Sequence, residues 1–339
     1  MAAPAAPGLP VANSATLEVD DTLPDNDSTL GDDTSSYATS LASSVNAYTT
    51  EYGRRFHAHR EKNGYIFPAD QKEEDRLDMV HAMMLTLLDG KLHFAPIGTN
   101  PGRVIDLGTG TGNWAVEFAD MYPSADVVGV DVSPLQPQVV PPNLKFRIDD
   151  IEEDWTNDAN SFDYIHARYL VPQIKNWPRL VQQTFDSVKP GGWVEFQEWN
   201  TRIYSTDGTV TGKNAVKVWG DATIQSREVA GYDCSPGPKL EKYMKDAGFV
   251  NIQAVKLPIP LGTWPKDKKY KKVGAWNWHQ VDNGLEGMAI GCLARGSGDH
   301  QEPWTMKEIT DLCTLARAEL KNPGIHGQYD FYVVFGQKP

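Results

Sequence analysis

The chain has 339 residues, 40% of them apolar and 10% aromatic, enough to fill a sizeable core and to exclude a wholly disordered protein. Lys and Arg total 32 against 45 Asp and Glu, and the resulting net charge of −13 argues against a chain-wide grip on nucleic acid or an anionic membrane. No apolar run has the length of a membrane-spanning helix, and the amino terminus lacks the pattern of a secretion signal. Three widely spaced cysteines (Cys234, Cys292, Cys313) with no CxxC pair point to a reducing, cytoplasmic setting.

Residues 1–47 form an acidic tail. The first 50 positions hold seven acids and no Lys or Arg, with Ala, Pro, Ser and Thr between them, so disorder is expected. Residues 48–100 read as an amino-terminal helical lid. Its first helix is expected around Glu51–His59, and its second from Asp70 to Leu88, where Leu77, His81, Met84, Leu85 and Leu88 recur at helical spacing. Residues 101–260 alternate strands with helices. Strands are expected at Arg103–Leu107, Val127–Val130, Leu144–Ile148, Phe162–His166, Trp193–Phe196 and Val250–Leu257. Helices are expected from Trp114 to Tyr122, from Pro178 to Val188 and from Gly237 to Ala247. Residues 261–327 are an insertion too long for a bare loop, with helices near Leu285–Ala294 and Thr305–Leu320. Residues 328–339 supply the last strand. The fold class is α/β: a seven-stranded, mostly parallel, Rossmann-like sheet with helices on both faces and an added helical lid.

The strongest chemical signal is Val104-Ile105-Asp106-Leu107-Gly108-Thr109-Gly110-Thr111-Gly112-Asn113-Trp114, a glycine-rich turn between a buried strand and an amphipathic helix. Glycines there let a ligand approach main-chain N–H groups without a Cβ clash. A dinucleotide fingerprint requires glycine where Asn113 stands, and Asp106 just before the turn suits an amine-bearing ligand better than a pyrophosphate. The second strand ends in Asp131, which can accept both hydroxyl hydrogens of a ribose. The third runs into Asp149-Asp150-Ile151, where Asp150 can accept from an adenine amine and Ile151 can lie against the ring.

This set of residues, with Lys189-Pro190-Gly191-Gly192 before the fifth strand, resembles the class I S-adenosylmethionine-dependent methyltransferases. The resemblance implies S-adenosylmethionine as cofactor, with its methionine part on Gly108, Gly110 and Gly112, its ribose on Asp131 and its adenine on Asp150. A narrower resemblance rests on Tyr52-Gly53-Arg54-Arg55-Phe56-His57, on Phe67-Pro68-Ala69-Asp70 through Asp75-Arg76-Leu77-Asp78, on Asp149 to Trp155, on Phe162 to Arg168, and on Ile325-His326 through Gly336. Together these are similar to the fungal LaeA-like methyltransferases, which include regulators of secondary metabolism and tailoring enzymes of natural-product pathways.

His166, at the end of the fourth strand, is the candidate catalytic base, and Arg168 a candidate for an acidic substrate group. Arg54 is a candidate partner of the cofactor carboxylate, and Trp155 a flank for the adenine. His57 and the insertion's Trp264, Trp276 and Trp278 are candidates for a lid over a flat hydrophobic substrate. No metal is expected, since His57 and His59 point apart on a helix. Lys266, Lys268, Lys269, Lys271 and Lys272 read either as a nuclear-import cluster or as a solvated helix start. The leading expectation is methylation of a small secondary metabolite, without nucleic-acid or membrane partners. A regulator acting through protein partners, in the nucleus, and a nicotinamide-dependent oxidoreductase stand as alternatives.

Overall fold

A computed structural model describes residues 17–18, 48–57, 65–294 and 302–339. The chain enters through strands β1 (Tyr48–Glu51) and β2 (Arg54–His57), an antiparallel hairpin in which Tyr48 pairs with His57 and Glu51 with Arg54. The helix expected over Glu51–His59 is therefore replaced by a hairpin. Its turn residues Tyr52 and Gly53 have φ of 52° and 76°, the paired left-handed conformation that closes a two-residue hairpin and stops a helix. His59 lies outside the described residues. Helix α1 (Gln71–Leu87) matches the expected second helix and is capped by Asp70, whose side chain accepts from the amide of Glu73.

Seven strands form one sheet in the order β5-β4-β3-β6-β7-β9-β8. They are β3 (Arg103–Leu107), β4 (Asp126–Asp131), β5 (Leu144–Ile148), β6 (Phe162–Arg168), β7 (Val188–Tyr204), β8 (Val250–Pro260) and β9 (Gln328–Gln337). The first five run parallel, and β9 lies antiparallel between β7 and β8. Helix α2 (Asn113–Met121) links β3 to β4, and α3 (Trp177–Ser187) links β6 to β7. These links step outward from the centre in opposite directions, so right-handed crossovers put them on opposite faces. Side-chain contacts agree. Tyr164 and His166 of β6 meet Trp114 and Phe118 of α2, while Phe196 of β7 meets Trp177 of α3 edge-on. The chain order reverses between β3 and β6, which opens a crevice at their carboxyl ends.

The carboxyl half holds more helix than the sequence reading assigned. Helix α4 (Ala215–Val229) was not anticipated, and the short α5 (Leu240–Ala247) ends at Gly248. Within the insertion, α6 (Lys268–Leu293) runs 26 residues, longer than expected, and α7 (Met306–Leu320) begins with a capping box between Thr305 and Glu308. Helix α6 packs along α1, so the elements before the sheet and those inserted before its last strand form one layer. The lysine-rich stretch is the start of α6: Asp267 caps it, and Lys269 pairs with Asp89 at 2.7 Å. Most of the acidic tail lies outside the described residues. Leu17 is nonetheless buried, and the Lys266 amide donates to the Glu18 carbonyl at 2.7 Å, so two tail residues are seated. Among the described residues no helix is long and apolar enough to cross a membrane.

Candidate active site

At the crevice, β3 runs into the glycine turn. Gly110 and Gly112 have φ of 58° and 85°, where a Cβ is strained, so the turn requires glycine at both. Their surroundings differ. A Cβ on Gly110 would meet only Leu77 Cδ1, at 3.8 Å, whereas one on Gly112 would lie 2.5 Å from the ring of Phe146. Gly108 and Gly110 line the cleft; Gly112 is held over Phe146 and starts α2. Asn113, where a dinucleotide site would have glycine, donates to Asp78 of α1 at 2.7 Å, and Thr111 donates to the same oxygen at 2.9 Å. The departure from the dinucleotide pattern thus ties the turn to the covering helix.

The cleft encloses about 760 Å³ of atom-free space, mouth included, between the glycine turn, the ends of β4 and β5, and the loop after β6. Asp131, Asp149, Asp150, Ile151 and Glu152 share its wall, and among the described residues no Lys or Arg lines it. Asp131 accepts from the amides of Gly110 and Ser133, both at 2.8 Å, and burial pushes its carboxyl up to about 6. Asp150 accepts from the Glu152 amide at 2.9 Å. Trp155 is not on this wall; its indole donates to the carbonyl of Ile151 at 3.0 Å and so braces that residue from behind. Gln173, which the sequence reading passed over, lines the cleft with both amide atoms buried and unpartnered. This donor set fits a cationic nucleoside and repels a pyrophosphate.

His166 does not reach the cleft. It is fully buried, stacked 3.7 Å from Trp114, with its Nδ1 2.7 Å from Asp106. Burial lowers its pKa to about 4, so the ring is neutral, and Nδ1–H donates to the carboxylate. The other Asp106 oxygen accepts from the Thr109 hydroxyl at 2.6 Å. The base expected at His166 is thus a brace that aims Asp106 at the turn, and Asp106 itself is buried beneath it. The cause is strand parity, which turns Tyr164 and His166 towards α2 and leaves only the strand's end for the site.

Arg168, at that end, lines a recess beside Gly108–Thr111 and donates to His81 Nδ1 at 2.7 Å. Burial lowers its pKa to about 10, and it stays cationic at neutral pH. Arg54 is placed elsewhere. Its Nε and Nη2 grip Asp70 at 2.7 and 2.8 Å, beside Gly287 of α6, so it ties the hairpin to the helical layer. The backbone of His57 ends β2.

Beside the cleft lies a second chamber, with about 680 Å³ of atom-free space, mouth included. Phe67 and Tyr169 belong to the walls of both. Tyr169 is held at φ 59°, a strained conformation for an aromatic residue and one that recurs where function fixes a side chain. The buried Arg76 organises this partition. It pairs with Glu73 through two bonds (2.9 and 2.7 Å), and donates to the Tyr169 hydroxyl (3.2 Å) and to Gln280 (2.9 Å). It also lies over the rings of Phe67 and Tyr169. The chamber's tryptophans are Trp199 and Trp219, not those expected from the insertion. Trp264 is buried with its indole on the Gly327 carbonyl, and Trp278 packs against His279. On α6 the chamber face is Gln280, Val281, Met288 and Cys292, a helical stripe that Trp276 and Trp278 flank. Phe67 and Arg76 stood within sequence markers, but nothing local distinguished them as site residues.

Residues 79–254 match the family described as a methyltransferase domain. The chain is 38% identical over 308 residues to methyltransferase pytC of Aspergillus terreus, covering 91% of this chain and 93% of that protein. It is 32% identical over 304 residues to the secondary metabolism regulator LAE1 of Cochliobolus heterostrophus, covering 87% and 96%. To the probable methyltransferase tdiE of Emericella nidulans it is 33% identical over 308 residues, covering 89% and 92%.

Proposed function

This chain belongs to the S-adenosylmethionine-dependent methyltransferases, in their LaeA-like fungal branch, and from that membership we propose that it methylates a small molecule held in the inner chamber. The cofactor supplies a methyl group already activated on a sulfonium, so the protein's task is chiefly to orient the acceptor. Asp131 would hold the ribose hydroxyls and Asp150 the adenine amine, with Ile151 against the ring and the Gln173 amide adding a donor and an acceptor. Arg168, beside Gly108–Thr111, would meet the cofactor's carboxylate, the role the sequence reading gave to Arg54. With His166 buried, no general base is assigned to it, and an oxygen acceptor is favoured because a phenolate or carboxylate needs little help to react.

The observation that carries this reading is the shared partition. An apolar chamber meets the cofactor cleft at Phe67 and Tyr169, as an enzyme acting on small molecules requires and cofactor binding alone does not. The relatives include both proteins named as methyltransferases and a secondary metabolism regulator, and the test separates the two readings. Purified protein is incubated with methyl-labelled S-adenosylmethionine and a panel of phenols, carboxylic acids and thiols. Label on a small molecule, reduced in Tyr169→Ala, supports the enzyme. Label confined to protein overturns it in favour of the regulator.

A further inference from the structure

Resting on the reading of the inner chamber as the acceptor site, we propose that the acceptor is an organic acid and that Arg227 of α4 holds its carboxylate. Arg227 is only 6% exposed, in the wall of a chamber built mostly from apolar and aromatic side chains. Its Nε and Nη2 donate to a single acceptor, the carbonyl of Pro172, at 3.2 and 2.9 Å. Its guanidinium carbon lies 3.4 Å from the centre of the Tyr232 ring. Neither contact supplies a negative charge, and among the described residues Arg227 has no ion pair and Nη1 no hydrogen-bond partner. By contrast, Arg76 has Glu73 as counter-ion and Arg54 has Asp70. A cation taken out of water without a counter-ion is costly, and a carboxylate entering the chamber would relieve that cost on binding.

A second donor stands unused. The indole Nε1 of Trp199, a residue 4% exposed on the same wall, has no partner. Several other polar groups of the lining are committed. The hydroxyls of Thr201 and Thr223 donate to main-chain carbonyls, and the Gln280 amide spans Arg76 and Asn277. What the chamber offers a ligand is therefore chiefly donors and positive charge, and among the described residues no Asp or Glu lines it. The cleft next to it has the opposite character, with Asp131, Asp149, Asp150 and Glu152. Charge thus sorts two ligands across one partition, the sulfonium nucleoside to the acidic side and the acid to the basic side.

The experiment is calorimetry on the full chain in the presence of S-adenosylhomocysteine, with naphthoate and its neutral isostere naphthamide as probes. The wild type should bind naphthoate about tenfold or more tightly than naphthamide, since a charge-assisted pair replaces a neutral one. In Arg227→Met the affinity for naphthoate should fall by about tenfold or more while that for naphthamide falls much less, so that the preference for the acid is lost. Equal binding of both probes by the wild type overturns the acid assignment and leaves the chamber as an acceptor site. Failure of the wild type to bind either probe overturns the chamber itself, and with it the function proposed above. The wild-type ratio decides the matter even if Arg227→Met does not fold.

Discussion

Arg76 offers the sharpest test of how the two chambers are held. Its guanidinium is fully buried and satisfied by Glu73, Tyr169 and Gln280, and Glu73 is itself only 3% exposed. Arg76→Met keeps the apolar stem but strands the Glu73 carboxylate without its partner. Breaking a buried pair from one side costs about 3–5 kcal/mol. With an unfolding entropy of about 2.1 cal/mol/K per residue over roughly 280 described residues, that is a fall in melting temperature of about 5–8 °C. The paired variant Glu73→Gln/Arg76→Met removes both charges and should recover most of the loss, leaving about 1–2 kcal/mol for the Tyr169 and Gln280 bonds. Denaturant melts of the wild type, both single variants and the double variant supply the cycle. If Arg76→Met melts within a degree of wild type, or the double variant is no better than the single, the ion pair does not organise the partition and this account of it fails.

Cofactor affinity should depend on pH through Asp131. Its carboxyl titrates near 6 because burial raises it, and only the ionised form accepts both ribose hydroxyls, so the dissociation constant should be flat above that pH and rise about tenfold per unit below it. Calorimetry from pH 5 to 8 checks this, with Asp131→Asn binding weakly and without the slope. The glycines of the turn should fail differently. Gly110→Ala meets backbone strain alone and should cost about 1 kcal/mol of stability, whereas Gly112→Ala also drives Cβ into Phe146 and should cost about 2–4 kcal/mol, both read by chemical denaturation. Deleting residues 1–45 should lower the melting temperature by only about 2–3 °C, through loss of the Leu17 seat, and leave cofactor affinity unchanged.

The sheet was legible because its parallel strands are short apolar runs that stop at Asp, Gly or a turn, and each stop carried chemistry of its own. Asp131, Asp150, Ile151, Gly108 and Gly110 do meet in one cleft. The sequence reading went astray where period or parity was hidden. A four-residue strand such as Arg54–His57 has too little alternation to outweigh its charged composition. Helix α4 carries only Val216, Trp219 and Ile224 as buried apolar anchors, spread among charged residues, so it passed unnoticed although it supplies Arg227 to the chamber. His166 reads as a strand end in the sequence, but β6 runs on to Arg168 and the pleat turns His166 inwards. The chamber wall is drawn from α1's approach, the loop after β6, β7, α4, α6 and β9, and no local pattern announces a surface assembled from such distant segments.

That division of labour between segments bears on which changes the molecule can absorb. The cleft is written in the turns after β3, β4 and β5 and the loop after β6, whereas half of the chamber lining comes from α4 and α6, which lie outside the parallel core. Only Phe67 and Tyr169, steadied by Arg76, answer to both. Changes confined to α4 and α6 can therefore reshape that chamber, or fill it altogether, while the acidic wall of the cleft beside it keeps its geometry.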